Sequence, residues 1–222
     1  RARISEHHRD LHGGQMGIDH VLFGTADLEE AGRRLESEFR LPSVPGGRHH
    51  GWGTGNRIVP LGSFYLEVIG ILDAEEASGN FLGRYLQDQV AKGDRLVGWC
   101  LGTDDIATTG ERLGLEVIDG SRMLPDGTSI RWRLGGLREA IESRYLPFFI
   151  EWDVPQELHP GRMEVRPRVE VTGSPILEVA GDAARLSSWL GGTVPDGVVM
   201  VAGAPGVKML KIPLSSGEIV VR

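Results

Sequence analysis

With 222 residues, 40% of them apolar and 25% charged, the chain has the composition of an ordinary globular protein and the length to bury one large core or two small ones. A formal net charge of −7 argues against a nucleic-acid partner, and a single cysteine, Cys100, excludes an intramolecular disulfide or a cysteine-based zinc cluster. No apolar run approaches the ~18 residues that span a bilayer, and no secretory leader is visible, so no membrane partner is expected and the predicted location is the cytoplasm.

Residues 1–15 have few apolar side chains, no periodicity and three of the seven histidines, His7, His8 and His12, and read as a flexible tail ahead of Met16. In 18-IDHVLFGTADLEEAGRRLESEF-39 the alternation of a strand puts Ile18, His20 and Leu22 on one face and Val21 and Phe23 on the other. Asp27 then N-caps a helix in which Leu28, Ala31, Leu35 and Phe39 share one stripe, with Glu30 placed to complete a capping box. A histidine on the inward face of an apolar strand needs a polar partner or a function. Strands are predicted near 57–61 and 63–70, with a further one in the glycine-rich stretch before them. Residues 73–94 carry helical periodicity through Phe81, Tyr85, Leu86 and Val90.

The next segment repeats the first. In 101-LGTDDIATTGERLG-114, Gly102, Thr103, Asp105, Gly110, Arg112 and Leu113 match Gly24, Thr25, Asp27, Gly32, Arg34 and Leu35, all 78 positions earlier. Farther on, 148-FFIEW-152 echoes 64-FYLEV-68 at 84 positions, which sets Glu151 against Glu67 and implies a six-residue insertion between the echoes. The hairpin-like stretch 117–134, with Pro125, Asp126 and Gly127 as its turn, is the apparent extra element. Each copy reads as strand, helix and about three strands, with strands near 95–102, 116–124, 128–134 and 147–153 in the second. Residues 161–222 show the same order again, with a helix from Asp182 and strands near 197–202, 206–212 and 217–221. Cys100, beside Trp99 and Leu101, reads as a buried, inert thiol.

The repeated module, with His20 on its opening strand and Glu67 on its closing strand, resembles the vicinal oxygen chelate superfamily. The motifs 18-IDHVLFGTADLEEA-31, 46-GGRHHGWGTGN-56, 60-PLGSFYLEVIG-70, 147-PFFIEWD-153 and 158-LHPGR-162 look like its glyoxalase-like domain family. The resemblance implies an α+β fold in which paired strand-helix-three-strand modules, residues 16–160, form a curled half-barrel cleft. Residues 161–222 would then be a degenerate third module, packed on that pair or on a partner subunit in a homodimer.

The resemblance also implies metal-binding positions at His20, Glu67 and Glu151, with the two glutamates as catalytic carboxylates. The repeat puts Gly98 opposite His20, where no side chain can ligate. Imidazole and carboxylate donors suit Zn, Mn, Ni, Co or Fe, and a buried glutamate needs a partner or a raised pKa. His50, Thr54 and Asn56 match the family's recurrent positions in the glycine-rich loop, with His50 preferred over His49. Trp52, Tyr65, Phe149 and Trp152 are candidate walls for a small-molecule ligand. His159 is placed to replace the donor missing at Gly98, and Arg48, Arg57, Arg131 and Arg133 to hold a ligand carboxylate. Three functions stay open. They are a metal-dependent lyase, isomerase or epimerase acting on a small oxygenated metabolite, a metal-free small-molecule binding protein, and a ring-cleaving dioxygenase.

Overall fold

A computed structural model describes residues 17–123 and 129–222. The tail at 1–15 and the turn at 125–127 anticipated above lie outside them.

The first module runs through strand β1 (Ile18–Thr25), helix α1 (Leu28–Phe39), and strands β2 (Val44–His49), β3 (Thr54–Pro60) and β4 (Tyr65–Ile71). Asp27 caps α1 as expected, its Oδ1 accepting from the Glu29 and Glu30 amides at 3.0 Å. The reciprocal half of the box is taken by Thr25, whose hydroxyl accepts from the Asp27 amide, while Glu30 pairs with Arg33. The bridging segment forms two helices, α2 (Ala74–Ser78) and α3 (Phe81–Val90). They are separated because Asn80 turns extended and caps α3 by accepting from the Gly83 amide at 2.7 Å.

The second module is β5 (Arg95–Gly102), α4 (Ile106–Leu113), β6 (Val117–Met123), β7 (Ser129–Gly135), α5 (Leu137–Ser143) and β8 (Phe148–Trp152). The hairpin read as an extra element is β6–β7, the counterpart of β2–β3. The added element is α5, between β7 and β8.

The eight strands form one curled sheet in the order β2-β3-β4-β1-β5-β8-β7-β6, with β1 and β5 antiparallel at its centre and each closing strand parallel to its opening strand. Val21, Phe23, Leu66, Val68, Trp99, Leu101 and Phe149 point to the convex face and Leu22, Ile69, Cys100, Phe148 and Ile150 to the concave one. Burial pushes the Cys100 thiol up, so it stays protonated, as the sequence suggested.

The C-terminal segment contributes β9 (Ile176–Ala180), α6 (Ala183–Trp189), β10 (Val198–Val201), β11 (Gly206–Leu214) and β12 (Gly217–Val221) in a separate sheet. It repeats the modules' order of elements along the chain but joins them differently. The strand order is β10-β9-β11-β12, so its opening strand is internal and pairs in parallel with its second strand. Leu177, Leu186 and Leu210 pack it into the convex-face core. That leaves the concave face to a cavity.

A histidine pair about one carboxylate

The concave face encloses a cavity of about 290 Å³. Its walls are aromatic and aliphatic, with Trp52, Tyr65, Trp132, Phe148 and Trp152 prominent, and its polar end gathers His20, His49, Asn56 and Glu67. Both His20 and Glu67 are buried.

His20 is held on both sides. Between Ile18 and His20 the pairing with β5 slips by one residue, because Ile18 faces Leu101 while His20 faces Cys100. Asp19 is therefore an extra, bulged residue, and the bulge turns its carboxylate back onto its own neighbour. Asp19 Oδ1 lies 2.7 Å from His20 Nδ1, and Asp19 Oδ2 accepts from Trp152 Nε1 at 2.9 Å and faces His159 Nε2 at 3.0 Å. Burial opposes ionisation of this carboxyl, but the hydrogen bonds from His159 and His20 outweigh it and hold its pKa far below the ordinary value. Asp19 is thus an acceptor only, and the ring nitrogens facing it carry hydrogens. The Gly161 amide donates to His159 Nδ1 at 3.1 Å, in keeping with a hydrogen on Nε2 of that ring. In neutral His20 the lone pair is then on Nε2, which points at Glu67, while Tyr65 stacks on the ring at a centroid distance of 4.7 Å.

Glu67 Oε1 accepts from Asn56 Nδ2 at 2.7 Å, and the buried Asn56 Oδ1 has no hydrogen-bond partner among the described residues. His20 Nε2 lies 3.5 Å from Glu67 Oε2, and His49 Nε2 lies 3.7 Å from Glu67 Oε1. The other nitrogen of His49, Nδ1, is 2.9 Å from the hydroxyl of Thr54, the residue opposite it in the β2–β3 hairpin. The turn carrying His49, His50 and Trp52 is fastened to α2 and to the N-cap of α3. Glu76 accepts from Arg48 Nη2 at 2.6 Å and from the Gly51 amide at 2.8 Å, and Asn80 donates to the Trp52 carbonyl at 3.1 Å. Gly53, at φ 66°, has its α-carbon against the backbone of Asp73 and Ala77, so no side chain fits there.

The structure brings His20, Glu67, Asn56, Trp52, Tyr65 and Trp152 to this cavity and sets the exposed His50 on its wall. Thr54 is fully buried behind His49 and does not line it. Two more of the residues expected there face the convex side. Glu151 points to the convex side, where its carboxylate accepts from the Ile106 amide at 2.8 Å and pairs with Arg133. Phe149 is buried in the convex-face core, stacked on Trp189 with centroids 6.0 Å apart. Both follow from register. Leu22 lies beside Glu67, and Cys100, 78 positions after Leu22, lies beside Phe148, so Phe148 is the counterpart of Glu67.

His159 does not take the place left at Gly98; it binds Asp19, behind His20, at the edge of a second, open cavity of about 940 Å³. Three of the four arginines expected to hold a carboxylate are also spent elsewhere. Arg48 pairs with Asp73 and Glu76, Arg57 with Glu29, and Arg133 with Glu151, and no Arg or Lys is among the described residues lining the smaller cavity. Sequence reasoning missed Asp19 and Trp132, and it passed over His49. Trp132 was within reach, because it falls on the inward alternation of a strand.

The chain matches the family described as glyoxalase-like domain over residues 18–187. It belongs to that family, and so to the vicinal oxygen chelate superfamily. Among solved structures, a hypothetical protein from Staphylococcus aureus is similar with a TM-score of 0.59 at 17% identity, over 92% of this chain and 84% of that one. Methylmalonyl-CoA epimerase from Mycobacterium tuberculosis gives 0.47 at 15% identity, over 68% and 96%. A variant of the Streptomyces coelicolor methylmalonyl-CoA epimerase in complex with 2-nitronate-propionyl-CoA gives 0.45 at 14% identity, over 62% and 97%. No curated protein sequence matches this glyoxalase-like protein.

Members of the superfamily commonly bind divalent metals. Among the described residues no three His, Cys, Asp or Glu side chains are already gathered as a metal site. The donor chemistry at the polar end of the cavity does suit such an ion. Separations of 3.5 and 3.7 Å are too long for good hydrogen bonds, and they are near the ~3.4 Å between two donors that each sit ~2.1 Å from one tetrahedral cation.

Proposed function

We propose that this glyoxalase-like protein is a divalent-metal-dependent lyase, isomerase or epimerase acting on a small oxygenated molecule, with His20 and Glu67 holding the cation. One observation carries the reading. The His20 ring, oriented by Asp19, turns its Nε2 lone pair toward Glu67 at 3.5 Å inside a buried cavity. An imidazole and a carboxylate suit Zn, Mn, Fe, Ni or Co, and such a cation supplies polarisation of a substrate oxygen.

The chain's own side chains do the rest. Trp52, Trp132, Phe148 and Trp152 shield the reacting end from water. The lining carries carboxylates and no Lys or Arg among its described residues, which favours an uncharged substrate over an anionic one. Glu151 faces away, so proton transfer falls to His50 or Asp119, which line the cavity without being needed to hold the cation. A metal-free binding protein is the second reading. It is favoured by Gly98 and Phe148, which put no donor at the second module's counterparts of His20 and Glu67, and by the aromatic walls.

Metal content decides between them. The full chain would be prepared chelator-free with His7→Gln, His8→Gln and His12→Gln to silence the N-terminal histidines, alone and with His20→Ala or Glu67→Ala added. Roughly stoichiometric metal in the parent, lost in both variants, is the expected result. If the parent takes up no Zn, Mn, Fe, Ni or Co offered in excess, the metal-dependent reading fails and the binding-protein reading stands.

A further inference from the structure

We infer that His49 is a third metal-binding side chain, so that the site is built from the first module alone. The inference rests on the metal-dependent reading of His20 and Glu67. It answers a question left by the second module, whose strands present Gly98 where β1 has His20 and Phe148 where β4 has Glu67. A lone His-Glu pair would hold a cation weakly, and a further donor has to come from elsewhere.

Four observations place it on β2. His49 Nε2 faces Glu67 Oε1 at 3.7 Å while His20 Nε2 faces Oε2 at 3.5 Å, so the two rings stand on the two oxygens of one carboxylate. Each ring has its other nitrogen engaged by a buried partner, Nδ1 of His20 on Asp19 and Nδ1 of His49 on Thr54, which is the pattern that orients an imidazole for ligation through Nε2. The hairpin turn beyond His49 is clamped to α2 by Glu76 and to the N-cap of α3 by Asn80, so the ring is carried on an anchored element. The neighbouring His50 lies in the turn just beyond β2 and is exposed.

Two imidazoles and one carboxylate leave open positions for a ligand's oxygens. Both ring nitrogens lie within 3.7 Å of the Glu67 carboxylate, at the polar end of one cavity. Trp52 and Trp132 line the same cavity.

The test is Co²⁺ binding to the full chain in the His7→Gln, His8→Gln, His12→Gln background, with His20→Ala, Glu67→Ala, His49→Ala and His50→Ala added singly. Affinity is read from the visible absorption of bound Co²⁺, and folding of each variant from circular dichroism. His49→Ala should weaken binding by at least the ~10–100-fold that loss of an orienting partner costs, while His50→Ala changes it by less than about 3-fold. A second readout needs no variant to fold. The Co²⁺ form of the parent should show two strongly shifted imidazole N–H proton resonances, from His20 and His49.

Binding lost in His20→Ala and Glu67→Ala but kept in His49→Ala, or a single shifted resonance, overturns the role of His49 and leaves the metal-dependent reading standing. Absence of Co²⁺ binding in the parent overturns both.

Discussion

Asp19 accepts three N–H groups at once, from His20, His159 and Trp152, at 2.7 to 3.0 Å in a buried setting. An amide cannot replace it, because one of its two heads is itself a donor. Asp19→Asn is therefore expected to cost about 3 kcal/mol of stability, the low end for breaking a buried charged pair, measured as a shift in the urea unfolding midpoint. It should also weaken metal binding ~10–100-fold, since His20 would lose the partner that fixes its ring. A loss under about 1 kcal/mol with unchanged metal affinity would show that Asp19 does not orient His20. Not all of this chemistry was legible. His20 and Glu67 stood out because polar groups on inward strand faces demand a reason, and the structure does bring them together. Asp19 did not, since strict alternation sends adjacent residues to opposite faces and only a bulge, invisible in the sequence, lets it meet His20. His49 and His50 differ by a single position at the end of a hairpin strand. Which of them faces inward depends on a register that their glycine-rich surroundings leave open.

The same problem at the scale of a whole strand misplaced Glu151. The 78-residue repeat is read correctly from its turn and helix cap, since Gly102, Thr103 and Asp105 do the work of Gly24, Thr25 and Asp27. The later echo at 84 positions matches residue types, yet it is three residues out of step with the pairing that sets Phe148 opposite Cys100. An odd slip turns every side chain to the other face, so the glutamate that looked like the twin of Glu67 belongs to the convex side. Helix α5, inserted between β7 and β8, is what separates the two offsets. There Glu151 accepts the amide of Ile106, the first residue of α4, and pairs with Arg133. A carboxylate in that place stabilises the start of a helix. Glu151→Gln should lower the unfolding free energy by about 1 kcal/mol and leave the Co²⁺ affinity as it was. Loss of metal with stability intact would restore Glu151 to the site and refute the pairing of Phe148 with Cys100 as the register of the closing strand.

At the scale of the whole chain, the cavity keeps its shape because the other side of the sheet is occupied. Phe149 and Trp99 are fully buried on the convex face; Phe149 is stacked on Trp189 of α6, and Trp99 donates to the Tyr145 carbonyl at 2.8 Å. Trp189 in turn donates from Nε1 to the Pro147 carbonyl at 2.9 Å, one residue before β8, and its own carbonyl accepts from Arg112 of α4 at 3.1 Å. Trp189 thereby ties helix α6 of the C-terminal segment to the closing strand whose inward residues, Phe148, Ile150 and Trp152, wall the cavity. Because Leu177, Leu186 and Leu210 share a core with Val21, Leu66 and Leu101, the two sheets should unfold together. Trp189→Ala is expected to destabilise this joint unit by about 3 kcal/mol, through lost burial and the Pro147 carbonyl left without its partner. Urea unfolding followed by tryptophan fluorescence and by far-ultraviolet circular dichroism should still give coincident curves, shifted to lower denaturant. Two separated transitions, with the Co²⁺ signal surviving the first, would mean that the C-terminal sheet is a separable unit and that the half-barrel holds its cavity without it.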